Sequence, residues 1–121
     1  MLLVEDVELN REIAVAILEE TGVEVECADN GQIAIAMLET HGGGYYNMVL
    51  MDVMMPVMDG YEATKKIREL DNPALAGIPI VAMTANAFDE DRKAALEAGM
   101  NDHLPKPFLI EDLFAMMRRY L

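Results

Sequence analysis

Apolar runs in this sequence break off at residues able to do chemistry. Met1–Val4 ends in Glu5-Asp6, Met48–Met51 ends at Asp52, and Ile78–Met83 ends at Thr84. A last short segment around His103-Leu104 gives way to Pro105-Lys106-Pro107. If these runs are neighbouring strands of one sheet, the side chains that follow them gather at one edge. Three carboxylates in one place repel one another unless a cation neutralises them, and an all-oxygen site suits Mg²⁺. With that charge balanced, an ionised Asp52 is a competent nucleophile toward a phosphoryl group. The metal and the Lys106 ammonium would neutralise the oxygens of the transferred group, and the Thr84 hydroxyl would donate to them. Such a transfer is mostly positioning and charge stabilisation, so no further side chain has to do covalent work. Singly, each residue has a plainer reading: Asp52 or Thr84 as a helix cap, Glu5-Asp6 as a charged helix start, Lys106 as a surface lysine. Their shared position at strand ends sets the plainer readings aside.

The elements that must position them alternate along the chain. After Met1–Val4, the spacing Leu9, Ile13, Ile17 with Ala14 and Leu18 predicts an amphipathic helix, closed by Gly22. Val23, Val25 and Cys27 alternate with Glu24 and Glu26, the pattern of a half-buried strand near a sheet edge. Asn30-Gly31 reads as a turn before a helix around Ile33–Leu38, which His41-Gly42-Gly43-Gly44 ends. No Lys-Ser/Thr follows those glycines, so they read as a flexible connection rather than a phosphate-cradling loop. Asp59-Gly60-Tyr61-Glu62 predicts a capped helix start, with the helix running to about Leu70. Asp89-Glu90-Asp91 opens a helix over Arg92–Ala98, and Ile110, Leu113, Phe114 and Met117 mark the stripe of the last one. Five β–α units with continuous apolar strands predict a doubly wound parallel sheet. In the strand order 2-1-3-4-5, the first and third strands adjoin where the order reverses, and their acids meet there.

Composition narrows the functions open to such a domain. The 121 residues carry a formal charge of −13, which argues against direct nucleic-acid binding, since phosphates reward basic patches. No apolar run approaches the roughly 18 residues of a membrane span, and no cationic start precedes an apolar stretch as in an export signal. The single cysteine, Cys27, has no internal partner and reads as a structural thiol in a reducing, cytoplasmic setting.

Four segments together resemble the response-regulator receiver family of two-component signalling. They are Leu-Val-Glu5-Asp6, Met51-Asp52-Val53-Met54-Met55-Pro56-Val57-Met58-Asp59-Gly60, Met83-Thr84-Ala85-Asn86 and Leu104-Pro105-Lys106-Pro107-Phe108. They occur in order across essentially the whole chain, and the wording is most similar to receivers of hybrid sensor histidine kinases. The resemblance implies one receiver domain over residues 1–121, with a (βα)5 flavodoxin-like fold. It implies that Asp52 is the phosphoacceptor and that Asp6 binds Mg²⁺ directly, with Glu5 acting through water and the Met54 backbone carbonyl completing the protein ligands. Thr84 and Lys106 would contact the phosphoryl oxygens, and the Lys106–Pro107 bond is expected to be cis. The donor would be a phosphohistidine on a sensor kinase or a histidine phosphotransfer domain, and a receiver–receiver contact is a further expectation. A domain of this kind promotes its own phosphorylation and turns over no separate substrate.

The family's switch pairs that threonine with an aromatic residue on the fifth strand, where this chain has His103. A histidine there either turns inward in the same way, bringing pH sensitivity, or stays exposed without a role. Met54 and Asn86 fall where the family tunes the life of the phosphoryl group, and a thioether cannot orient an attacking water. The face of the fourth helix, fifth strand and fifth helix is expected to change on phosphorylation. Two other readings compete: a pseudo-receiver that only docks, and an enzyme or cofactor binder on the same architecture. The first usually lacks one of the key residues, and none is lacking here. A phosphatase with an aspartate nucleophile wants a second aspartate where Met54 stands, and a flavin phosphate would meet Glu5 and Asp6. A stand-alone receiver and one excised from a longer kinase are equally compatible with the sequence.

Overall fold

Each apolar run becomes a strand because its alternate side chains serve two different cores. The computed structural model describes residues 1–55, 58–84, 89–105 and 110–120. Its strands are β1 (Leu2–Val4), β2 (Glu26–Ala28), β3 (Val49–Asp52), β4 (Ile80–Thr84) and β5 (Asp102–Pro105). They form one parallel sheet in the order β2-β1-β3-β4-β5. The helices are α1 (Glu8–Glu19), α2 (Gly31–His41), α3 (Gly60–Arg68), α4 (Pro73–Ala76), α5 (Asp89–Ala98) and α6 (Ile110–Tyr120). Leu2, Val4, Val49, Met51, Ile80 and Ala82 face one side, where Ala34, Leu38, Ala63, Ile67 and Ala95 of α2, α3 and α5 cover them. Leu3, Leu50, Val81, Met83 and Leu104 face the other, under Ala14 and Leu18 of α1 and Leu113, Met116 and Met117 of α6. With both faces buried, the strands carry no polar alternation, and each large apolar side chain contributes about 1.5–3 kcal/mol.

Several details differ from the sequence expectation. Leu9 and Ile13 do not join the buried stripe of α1; they are 63% and 51% exposed, whereas Ala14 and Leu18 face the sheet. At ~100° per residue Leu9 lies roughly 160° around the helix from the Ala14–Leu18 line, so a stripe drawn through all five residues is too wide for one contact face. Phe114 leaves the α6 stripe for the same reason: Leu113, Met116 and Met117 are buried while Phe114 is 41% exposed. Asn30 is the N-cap of α2, its Oδ1 accepting from the Ile33 N–H at 2.9 Å, and not a turn residue. The second strand is confined to Glu26–Ala28, at the sheet edge as expected. The single turn α4 has too few residues to show a period; its signal is Asn72 capping Ala74, with Pro73 at the first helical position.

Candidate functional site

The register brings three acids to one place. Val4 pairs with Met51, so Glu5 continues β1 to the level of Asp52, the last residue of β3. Asp52 in turn pairs with Met83, which leaves Thr84 one residue further out on β4, opposite Pro105 of β5. A carboxylate oxygen from each of Glu5, Asp6 and Asp52 lies within 4.8 Å of the other two. Glu5 and Asp52 are 2% and 4% exposed and are the buried charged side chains of the described residues; Asp6 and Thr84 are half-buried. Lys106, Pro107 and Asn86 lie outside the described residues, as does the Lys106–Pro107 bond.

The plain capping roles belong to other residues. Asp59 caps α3, its Oδ1 accepting from the Glu62 N–H at 2.8 Å, so Asp52 is not the cap of the helix that follows it. Val7 holds the N-cap position of α1 with no side-chain cap bond, so Asp6 is not a cap either. The Glu5 side chain accepts from the Val7 N–H at 3.2 Å, folding the turn after β1 tightly over the acids.

Arg11, which the sequence does not single out, and Gly60, legible there only as part of a helix start, hold this turn and Asp52 in position. Arg11 donates from Nη1 to the Glu5 backbone oxygen at 2.9 Å and reaches Asp29 Oδ1 at 3.2 Å, tying the ends of β1 and β2 together. A Cβ on Gly60 would meet the Asp52 carbonyl oxygen at 2.4 Å, so the absence of a side chain lets α3 start directly against the Asp52 backbone. The Gly60 N–H donates to the Val53 oxygen at 3.0 Å across that contact. Arg11 shows no signal in the sequence, because a helix-surface arginine looks the same whether or not it reaches a loop. Gly60 follows a cap residue, and its role is invisible until the packing is known.

The donor set fits a hard divalent cation. At an effective dielectric of ~20, two unit charges 4.8 Å apart repel by about 3 kcal/mol, and the cluster contains three such pairs. Asp6 Oδ1 is buried and makes no hydrogen bond with the described residues, a position that calls for a partner of another kind. Among the described residues, the candidate ligands that converge there are carboxylate oxygens, which suit Mg²⁺ or Ca²⁺ better than a softer metal. Met54 joins the rim: its N–H points to Asp52 Oδ1 at a long 3.4 Å, and its side chain is 78% exposed. Away from this edge, His103 is half-buried on β5, with Nδ1 3.8 Å from Asp102 Oδ1. Cys27 is half-buried, and burial pushes its thiol pKa up, in keeping with a structural role.

Known proteins similar in sequence and in structure place the chain. The yeast transcription factor SKN7 (Saccharomyces cerevisiae) is 40% identical over 121 residues, covering 100% of this chain and 18% of that protein. The chain thus spans a small part of the curated relatives it matches first. The receiver domain of the sensor histidine kinase PA1611 from Pseudomonas aeruginosa PAO1, solved with a magnesium ion coordinated in its active-site cleft, is 40% identical. It superposes with a TM-score of 0.85, over 98% of this chain and 93% of that one. The receiver domain of the response regulator Ssk1 of Saccharomyces cerevisiae, in co-crystals with the histidine phosphotransfer protein Ypd1, is 30% identical with a TM-score of 0.84, over 98% and 86%. Residues 1–118 match the family described as the response regulator receiver domain, so the chain belongs to that family of two-component signalling domains.

Proposed function

We propose that residues 1–121 form one receiver domain that accepts a phosphoryl group on Asp52. The observation that carries this reading is that the buried charged side chains of the described residues, Glu5 and Asp52, stand together with an Asp6 oxygen that has no partner among those residues. Taking an ionised carboxylate out of water costs several kcal/mol, and a fold concentrates that cost where a cation is to be bound. Asp6 and Asp52 would hold Mg²⁺ with the Met54 carbonyl, and Glu5 would act through water. The magnesium in the cleft of the PA1611 receiver supports that choice of ion. When bound, the ion supplies charge that neutralises the phosphoryl oxygens.

Asp52 attacks phosphorus with a carboxylate oxygen while the P–N bond of a phosphohistidine breaks and the imidazole leaves. Thr84 and Lys106 bind the oxygens of the group in transfer. The domain promotes this step on itself and turns over no separate substrate. Its donor is a sensor kinase or a histidine phosphotransfer protein, as the pairing of Ssk1 with Ypd1 suggests, and cytoplasmic exposure follows from such a partner. Leu9 and Ile13, exposed on α1 just past the acids, offer that donor an apolar footing beside the site. The face of α5, β5 and α6 carries the response. An open groove of about 280 Å³ between β5 and α6 is lined by Asp102, His103, Leu104, Asp112, Met116 and Arg119, so that His103 borders open space.

Incubation with a phosphorylated histidine phosphotransfer protein tests the reading. Phosphoryl transfer to the wild type and none to Asp52→Ala is expected. Leu9→Glu with Ile13→Glu is expected to slow that transfer while leaving labelling by acetyl phosphate intact. A phosphoryl group that still appears on Asp52→Ala would overturn the assignment.

A further inference from the structure

The eleven methionines of the chain are unevenly exposed. Met48, Met51, Met55, Met58, Met83, Met100, Met116 and Met117 are buried, and Met1 and Met37 are half-buried. Met54 alone of them is exposed, at 78%, the highest value among the exposed large apolar side chains of the described residues. An apolar side chain in that position gains nothing from packing. It also stands two residues from Asp52, and its N–H points at the Asp52 carboxylate. We propose that Met54 is a redox-sensitive modification site, whose oxidation to the sulfoxide shortens the life of the phosphoryl group on Asp52.

A peroxide is the oxidant. The thioether sulfur attacks one peroxide oxygen, the O–O bond breaks, an S=O bond forms and water leaves, so sulfur loses two electrons and hydrogen peroxide gains them. Susceptibility follows exposure, so the ten packed or partly packed methionines react later. The consequence follows from hydrogen bonding. A thioether is a weak acceptor, whereas the sulfoxide oxygen is strong and polar. At the mouth of the site that oxygen accepts from a water and turns the water's lone pair toward phosphorus, an interaction the reduced side chain cannot make. The effect is reversible, because sulfoxide reductases restore the thioether.

This inference rests on Asp52 being the phosphoacceptor, and the test separates the two. The protein is treated with hydrogen peroxide, mapped by peptide mass, phosphorylated with acetyl phosphate in Mg²⁺, freed of donor and followed by intact mass. We expect one added oxygen on the Met54 peptide well before any other, and a several-fold faster loss of phosphate than from untreated protein. Reductase treatment is expected to restore the slower decay. Met54→Leu should show no difference between treated and untreated samples, and Met54→Gln, with a fixed carbonyl acceptor, should decay faster than Met54→Leu without any oxidant. Earlier oxidation elsewhere, or unchanged decay with Met54 fully oxidised, would overturn the proposal. Failure of the untreated protein to take any phosphate would instead remove the phosphoacceptor reading, and this inference with it.

Discussion

Glu5 and Asp52 are carboxylates that the fold buries side by side, with Asp6 close enough for all three to repel. Removing one negative charge therefore acts in opposite directions on the metal-free and metal-bound protein. Asp6→Asn is expected to raise stability in chelator by on the order of 1–3 kcal/mol, from the lost repulsion. The same change is expected to abolish most of the stabilisation that millimolar Mg²⁺ gives the wild type through mass action. Urea denaturation with Mg²⁺ and with chelator reads both, and a substitution that destabilises the protein equally in the two would contradict the metal-site account. At this scale the acids and Thr84 were legible because each interrupts an apolar run abruptly. Arg11 was not legible, because its bond to the Glu5 backbone depends on how α1 turns back over the end of β1.

Elements are held at the site by contacts that a substitution can test singly. A methyl group on Gly60 would press on the Asp52 carbonyl and the Val53 backbone, neither of which is the yielding end of a side chain. Gly60→Ala is expected to cost about 1–3 kcal/mol by overpacking and to weaken Mg²⁺ binding, because α3 can relieve the clash only by pushing the end of β3. Calorimetric Mg²⁺ titration beside chemical denaturation checks this; unchanged Mg²⁺ affinity would show that α3 and Asp52 are not coupled. Farther from the acids, Arg68 of α3 ties α4 and the loop before β4 to the loop between α5 and β5. It donates to the oxygens of Gly99, Ala76 and Ile78 at 2.8, 2.7 and 2.6 Å and to Asn101 Oδ1 at 2.9 Å. Arg68→Lys cannot span that fan of acceptors and is expected to cost on the order of 3 kcal/mol in denaturation. The five strands and five of the helices could be read from period and punctuation, since each buries a recognisable face. The misplaced stripes of α1 and α6 show the limit: Leu9, Ile13 and Phe114 are apolar yet face outward, and composition alone cannot say which side of a helix meets the sheet.

Over the whole molecule, five β–α units and right-handed crossovers made a doubly wound parallel sheet legible; the order 2-1-3-4-5 came with the family resemblance, and the structure has it, with the acids where the order reverses. Contacts between distant loops were out of reach of the sequence, as the edge strand β2 illustrates. Glu26 accepts from the hydroxyls of Tyr45 at 2.6 Å and Tyr46 at 3.1 Å, and His41 stacks on Tyr45 with centroids 4.0 Å apart. The Tyr45 hydrogen bond in particular holds the Glu26 pKa below its ordinary 4.5. A depressed carboxylate contributes stability that is present above the unfolded value and is lost as pH falls through the folded one. Acid denaturation of wild type should therefore lose a contribution below about pH 4.5 that the Tyr45→Phe, Tyr46→Phe double variant lacks; parallel curves would contradict the clasp. Burial, and then Glu26, push the Tyr46 phenol up to about 12, so the same cluster also loses stability as pH rises through 10, where the unfolded phenol ionises first. Chemistry at Asp52 is the central claim of the proposal. The most direct measurement is intact mass after exposure to acetyl phosphate, with and without Mg²⁺, for wild type and Asp52→Ala. The account predicts one added phosphoryl group that requires Mg²⁺ and is absent from the variant. Equal labelling of the two proteins, or wild-type labelling that persists in chelator, would contradict it.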